Sequence, residues 1–134
     1  MKTMIYSVLK NYNTLAADAA YTGRFPNNQP GANIDLLQQR MAMVQSWLQL
    51  LNADELFVIQ KHLIEGIDWA RVTHLYTEYW DGQFTRCEKT LYNYQASALM
   101  KIEEFCNKHI DSVEHLFGQQ LDDLQQNSAS AERA

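Results

Sequence analysis

The stretch Asn52-Ala-Asp-Glu-Leu-Phe-Val-Ile-Gln-Lys-His-Leu-Ile-Glu-Gly66-Ile-Asp68-Trp69-Ala-Arg-Val-Thr-His-Leu-Tyr76 decides the fold. Asn52 with Glu55 three residues on is a capping-box pattern, in which each side chain satisfies a backbone N–H that the first helical turn leaves orphaned. Leu56, Val58, Ile59, Leu63 and Ile64 predict the apolar face of the helix it opens. Gly66 predicts the helix end, because a left-handed C-cap suits a residue without a Cβ. Asp68 then predicts the N-cap of a short helix with Trp69, Val72 and Tyr76 on one face and Leu75 beside them. Trp80-Asp-Gly-Gln-Phe84 reads as a second turn, and Thr85-Arg-Cys-Glu88 repeats the capping-box pattern. A long helix follows to about residue 109, with Leu91, Tyr94, Ala98, Leu99, Ile102, Phe105 and Cys106 inward.

Helix, glycine turn, short helix, longer turn and long helix make a helix-turn-helix layout with a support helix in front. Within it, Leu51-x3-Glu55-x2-Val58-Ile59, Leu63-Ile64-Glu65-Gly66, Trp69-x2-Val72, Thr90-Leu91 and Ala98-Leu99-Met100-Lys101-Ile102 stand in a particular order and spacing. In that order they resemble region 4 of sigma factors, and the sigma-like C-terminal halves of phage late-gene activators of the ArpU and RinA type. The connection Tyr79-Trp-Asp-Gly-Gln-Phe-Thr85 is longer and more aromatic than in a housekeeping sigma factor, and is similar to the lengthened turn of the phage proteins. No other sigma region is visible.

The resemblance implies a sequence-specific DNA-binding transcriptional regulator that reads a major groove with the start of the helix at 86–108. It carries the reading positions onto Glu88, Lys89, Tyr92 and Asn93. Arg86, just ahead, suits guanine or phosphate, Asn93 suits adenine, and Glu88 accepts from cytosine N4. Arg71 and Lys61 are candidate phosphate contacts. The competing reading of Arg86, Lys89 and Asn93 is solvated helix surface, and that of Glu88 is the capping partner of Thr85. The expected partners are double-stranded DNA and RNA polymerase, in a cytoplasmic setting.

Outward from this segment, residues 3–20 carry a helical stripe of Met4, Ile5, Val8, Leu9, Tyr12, Leu15, Ala16 and Ala19. Residues 21–33 hold both prolines and read as a loop, with Asn33 a good N-cap. Residues 34–51 form a helix with Leu37, Met41, Val44, Leu48 and Leu51 on one stripe and Leu36, Met43, Trp47 and Leu50 on the next. So wide a face packs on neighbours within the chain, or gives one stripe, Leu37, Met41, Val44 and Leu48, to a homodimer seam. The expected fold is all-α. Residues 1–51 form an N-terminal helical pair or hairpin for packing or oligomerisation, 52–109 a three-helix unit of sigma region 4 type, and 110–134 an acidic, partly disordered tail.

Length and composition set the bounds. The chain has 134 residues, 46% hydrophobic and 20% charged, which suits one globular unit with a real core. Its formal net charge is -5, which argues against a nonspecific nucleic-acid glue. Four basic residues stand against two acidic over 1–51, six against nine over 52–109, and one against five over 110–134. The deficit over 52–109 falls on the segment that looks most like a DNA reader. Cys87 and Cys106, 19 residues apart on one helix, lie about 28 Å from each other at ~1.5 Å per residue, too far for a disulfide. Two free thiols suit a reducing compartment. No apolar run approaches a membrane span, and MKTMIYSVLK is too polar for a signal peptide.

Chemistry is sparse. Cys106-x-x-His109, with His115 further on, falls short of a four-ligand metal set, and Cys106 lies on the apolar stripe. His62 and His74 lack partners at catalytic spacing, and no phosphate-binding loop or hydrolase motif occurs. Neither an enzyme nor a cofactor is expected. Tyr76, Tyr79, Trp80 and Phe84 fit a plug between the last two helices better than a base-stacking platform. Two other readings stand beside the regulator. One is a small terminase-like DNA-packaging subunit, which also joins a helix-turn-helix to helical oligomerisation segments. The other is an acidic protein-interaction module that contacts RNA polymerase rather than DNA.

Overall fold

The structure, a computed structural model, describes residues 1–25, 34–80, 82 and 86–118. Every regular element among them is helical, so the chain is all-α over the described residues. The single helix expected over 3–20 is two helices, α1 (Lys2–Lys10) and α2 (Tyr12–Arg24). They part at Asn11, whose backbone sits at φ −101°, ψ 8°. Its Nδ2 donates to the Ser7 carbonyl at 2.9 Å, the same oxygen its backbone N–H reaches at 3.1 Å. A side chain that competes for the helical acceptor in this way breaks the run. Helix α2 continues to Arg24, so the loop starts later than expected; the predicted cap at Asn33 lies outside the described residues.

Helix α3 (Ile34–Gln49) leads to α4 (Ala53–Val58), and α4 passes without interruption into a π-helical stretch, π1 (Ile59–Ile64). The capping box is formed: Glu55 N–H donates to Asn52 Oδ1 at 2.9 Å, and Asn52 N–H donates to Glu55 Oε1 at 3.0 Å. The π pitch sets residues five apart on one side, so Ile59 and Ile64 enter the same core. Gly66 ends the rod at φ 72°. A Cβ there would meet nothing within 4 Å, so the glycine is required by backbone conformation and not by space. Helix α5 (Trp69–Tyr79) opens on Asp68, whose Oδ1 accepts from the Arg71 N–H at 2.9 Å. Helix α6 (Glu88–Lys108) starts at Glu88 with Cys87 as N-cap. The expected Thr85–Glu88 box therefore does not set this end: Glu88 is the first helical residue, and Thr85 lies outside the described residues.

Beyond a break at His109, residues 110–118 form a further helix, α7. It buries Val113, Leu116 and Phe117. The expectation of a tail from residue 110 is thus corrected over 110–118: these apolar side chains, at helical spacing, cover Trp47, whose ring centroid lies 5.7 Å from that of Phe117. Arg40 Nε ties α3 to the same helix through the Leu116 carbonyl at 2.8 Å. Residues 119–134 lie outside the described residues.

Two cores result. The large one gathers Met4, Ile5, Val8 and Leu9 from α1, Val44 and Trp47 from α3, and Ile59, Leu63 and Ile64 from π1. Ala98, Ile102 and Cys106 of α6 and the α7 residues complete it. The small one holds Val58, Val72, Tyr76 and Leu91, with Phe57, Ile67, Trp69, Trp80 and Tyr94 at its edges. The segments 1–51, 52–109 and 110–118 therefore share one large core. The suggested dimer seam is corrected by the same packing. Val44 is fully buried and Leu48 packs against the large core, leaving Leu37 and Met41 half-buried on α3. No helix among the described residues is long and apolar enough to cross a membrane.

Candidate nucleic-acid interface

The front of the molecule is where α4, α5 and the first turns of α6 meet, and two neighbouring acids on α4 hold it. Asp54 Oδ1 accepts from the Tyr76 hydroxyl of α5 at 2.8 Å. Glu55, only 2% exposed, reaches α6: its Oε2 accepts from Ser97 Oγ at 2.7 Å and its Oε1 from Lys101 Nζ at 2.6 Å. Burial alone would raise the Glu55 carboxyl. The Lys101 ammonium, the Asn52 N–H and the Ser97 hydroxyl outweigh it and hold the group below the usual carboxylate range. Burial and the bond to Asp54 push the Tyr76 phenol up to about 12.

A second fastening lies behind Trp69. The His62 ring stacks on the Trp69 indole at a centroid distance of 3.8 Å and 24° between planes. His62 Nδ1 also shares a 2.6 Å hydrogen bond with Oε1 of the buried Gln95 of α6. The π1 rod, α5 and α6 are thereby joined at one point.

The residues expected to read DNA fall into three groups. Glu88, Lys89 and Tyr92 come together on the first turns of α6, where with Trp69 they line an open hollow of about 300 Å³. Asn93 and Arg71 are exposed on α6 and α5 but do not line that hollow. Arg86 is half-buried, and its guanidinium donates to the Tyr94 hydroxyl, which raises its pKa further. Lys61, a candidate phosphate contact, pairs with Glu65 at 3.1 Å.

The acidity of residues 52–109 acquires a structural account. Asp54 and Glu55 brace the helices, Asp68 caps α5, and Glu65 and Glu78 pair with Lys61 and His74. Among the described residues, neither Arg71 nor Lys89 is held in an ion pair.

The sequence pattern missed two things. Trp69 reads there as a core residue, yet it is half-buried and forms a wall of the hollow. Glu55 reads there as a cap alone, whereas Ser97 and Lys101, four apart on one face of α6, were the available sign of an acid opposite them.

Elsewhere, chemistry finds no cluster. The Cys106 thiol is buried, which together with nearby Glu103 pushes it up to about 12 and makes it inert. Among the described residues no group of three His, Cys, Asp or Glu side chains could hold a metal. A larger hollow of about 560 Å³ lies on another face, between α3 and the α6–α7 corner, with Met43, Phe105, His109 and Leu116 in its lining. Comparison with known proteins gives no match: no family model, curated protein or solved structure is similar to the chain.

Proposed function

We propose that the chain is a sequence-specific DNA-binding transcriptional regulator of phage or prophage type, which reads a major groove with the start of α6. One observation carries the reading. The first two turns of α6 turn Glu88, Lys89, Tyr92 and Asn93 to solvent, while the helix body behind them is clamped to α4 by Glu55. A recognition helix needs this combination of free leading residues and a fixed body. In this reading α4–π1, α5 and α6 act as the helix-turn-helix, and Arg71 and Lys89 meet phosphates or guanine. The four-residue turn Glu65–Asp68 and its glycine suit the motif. The acidic side chains are compatible with DNA because most of those named above are engaged within the protein.

The test is a gel shift of the full chain across its flanking genomic DNA over a salt series. A specific complex that weakens as salt rises is expected, and Arg71→Ala or Lys89→Ala should each flatten the log K against log salt slope by about one. Absence of a specific band at low salt overturns the reading.

A protein partner such as RNA polymerase is the second reading, favoured by one cluster. Tyr79, 59% exposed, lies 5.1 Å from Phe57 and 5.2 Å from Trp80 between ring centroids, an aromatic surface without cations of its own. Aromatic patches of this kind suit protein contacts. Tyr79→Ala that abolishes transcriptional activity while DNA binding persists would assign that surface to polymerase.

A further inference from the structure

The hollow beside the α6 N-terminus has features that a plain phosphate-binding surface lacks. One wall is the Trp69 indole, fixed from behind by the His62 ring and, through it, by Gln95. The other wall is Tyr92, whose ring centroid lies 6.0 Å from that of Trp69 and which remains 56% exposed. Glu88 and Lys89 complete the lining. The floor is aromatic, one wall is immobilised by stacking, and the charged groups stand beside it.

We propose that this hollow seats the 5-methyl group of thymine, so that Trp69 and Tyr92 determine specificity together. The inference rests on the DNA-binding reading above and names what that site prefers. Of the four bases, only thymine presents an apolar group at its major-groove edge. Guanine, adenine and cytosine would each set a polar edge against the two rings and leave it unpaired there. A phosphate is a poor occupant, since the aromatic walls give it little to bond and the Glu88 carboxylate repels it. The same carboxylate accepts from an exocyclic amine of adenine or cytosine in the neighbouring pair. Lys89 is then left for phosphate or guanine beyond the methyl.

The experiment starts from a random duplex library, enriched on the full chain at low salt. In the enriched duplex each thymine is replaced singly by deoxyuridine, which removes the methyl and keeps the base pair. Binding is read by fluorescence anisotropy. At one thymine of the bound site the replacement should weaken binding about fourfold, the size expected for one methyl withdrawn from water. Tyr92→Ala should bind thymine and deoxyuridine duplexes equally, with its helical circular dichroism and melting unchanged. Equal binding of every deoxyuridine duplex by the unaltered chain overturns the methyl seat and leaves the DNA reading standing. A fourfold preference that persists in Tyr92→Ala also overturns it. No enrichment of any duplex overturns both.

Discussion

Along α6 one helix meets two kinds of neighbour. Its rear half sends Ala98, Ile102 and Cys106, all fully buried, into a core supplied by α1, α3, π1 and α7. Its front half gives Leu91 alone to a core of four buried residues, and is otherwise fastened by Glu55, His62 and Tyr94 through polar contacts. The rear is held by area, which is strong and indifferent to direction. The front is held by bonds of fixed length and angle, which contribute less energy and define an orientation. A surface that must present particular side chains at a particular angle benefits from the second kind of fastening.

The comparison can be broken first at the rear. Ile102→Ala should cost about 4 kcal/mol, in the upper range for a buried aliphatic, because helices on several sides prevent collapse around the cavity. Leu91→Ala should cost about 2.5 kcal/mol, since the small core can close on itself. Urea unfolding followed by circular dichroism measures both, and equal costs would erase the distinction.

Glu55→Gln probes the front. It should cost about 2 kcal/mol at neutral pH, the scale of hydrogen bonds to a charged group, with Lys101 discounted because its side chain is 41% exposed. The pH dependence has a definite sign. The folded pKa of Glu55 is depressed below 4.5, so its contribution is present above that value and is lost as pH falls through the folded pKa. Stability of Glu55→Gln should therefore fall less between pH 5 and acid than that of the unaltered chain.

Tyr76→Phe should cost about 1 kcal/mol by removing the donor to Asp54. Because the folded Tyr76 pKa is raised to about 12, the tyrosine contributes below its unfolded value near 10 and loses that contribution as pH rises through 12. Alkaline unfolding between those values should be shallower in the phenylalanine variant. The smallest effect concerns the thiols. Iodoacetamide should label Cys87 and spare Cys106 in the folded protein, and Cys87→Ser should shift stability by under about 0.5 kcal/mol. Intact mass gives the label count, and two labels on the folded chain would contradict the burial of Cys106.

These fastenings divide by how far apart in sequence they act. The box at Asn52 and Glu55, the turn at Gly66 and the cap at Asp68 were legible because each is complete within a few residues. The bond from Glu55 to Lys101 spans 46 residues, and nothing local announces it. The break at Asn11 was hidden because asparagine is compatible with an exposed helical position until its amide turns back on the chain. Helix α7 had a visible pattern in Val113, Leu116 and Phe117, outweighed in the reading by the polar composition that follows. At the candidate site, the grouping of Glu88, Lys89 and Tyr92 followed from helical spacing alone. The wall made by Trp69 did not, since it depends on how α5 leans against α6.

The π stretch has a consequence for geometry of another kind. A π turn holds one residue more than an α turn, so Ile59–Ile64 acts as an inserted residue absorbed without a bulge. Each helical residue rotates the chain by about 100°, and removing one between Ile59 and Ile64 would restore the tighter pitch and swing all that follows by that angle. Asn13 of α2 donates to the Ile64 carbonyl at 3.2 Å, at the very end of this stretch. The direction in which α5 leaves the rod is thus counted out in residues, and the N-terminal helices keep the count.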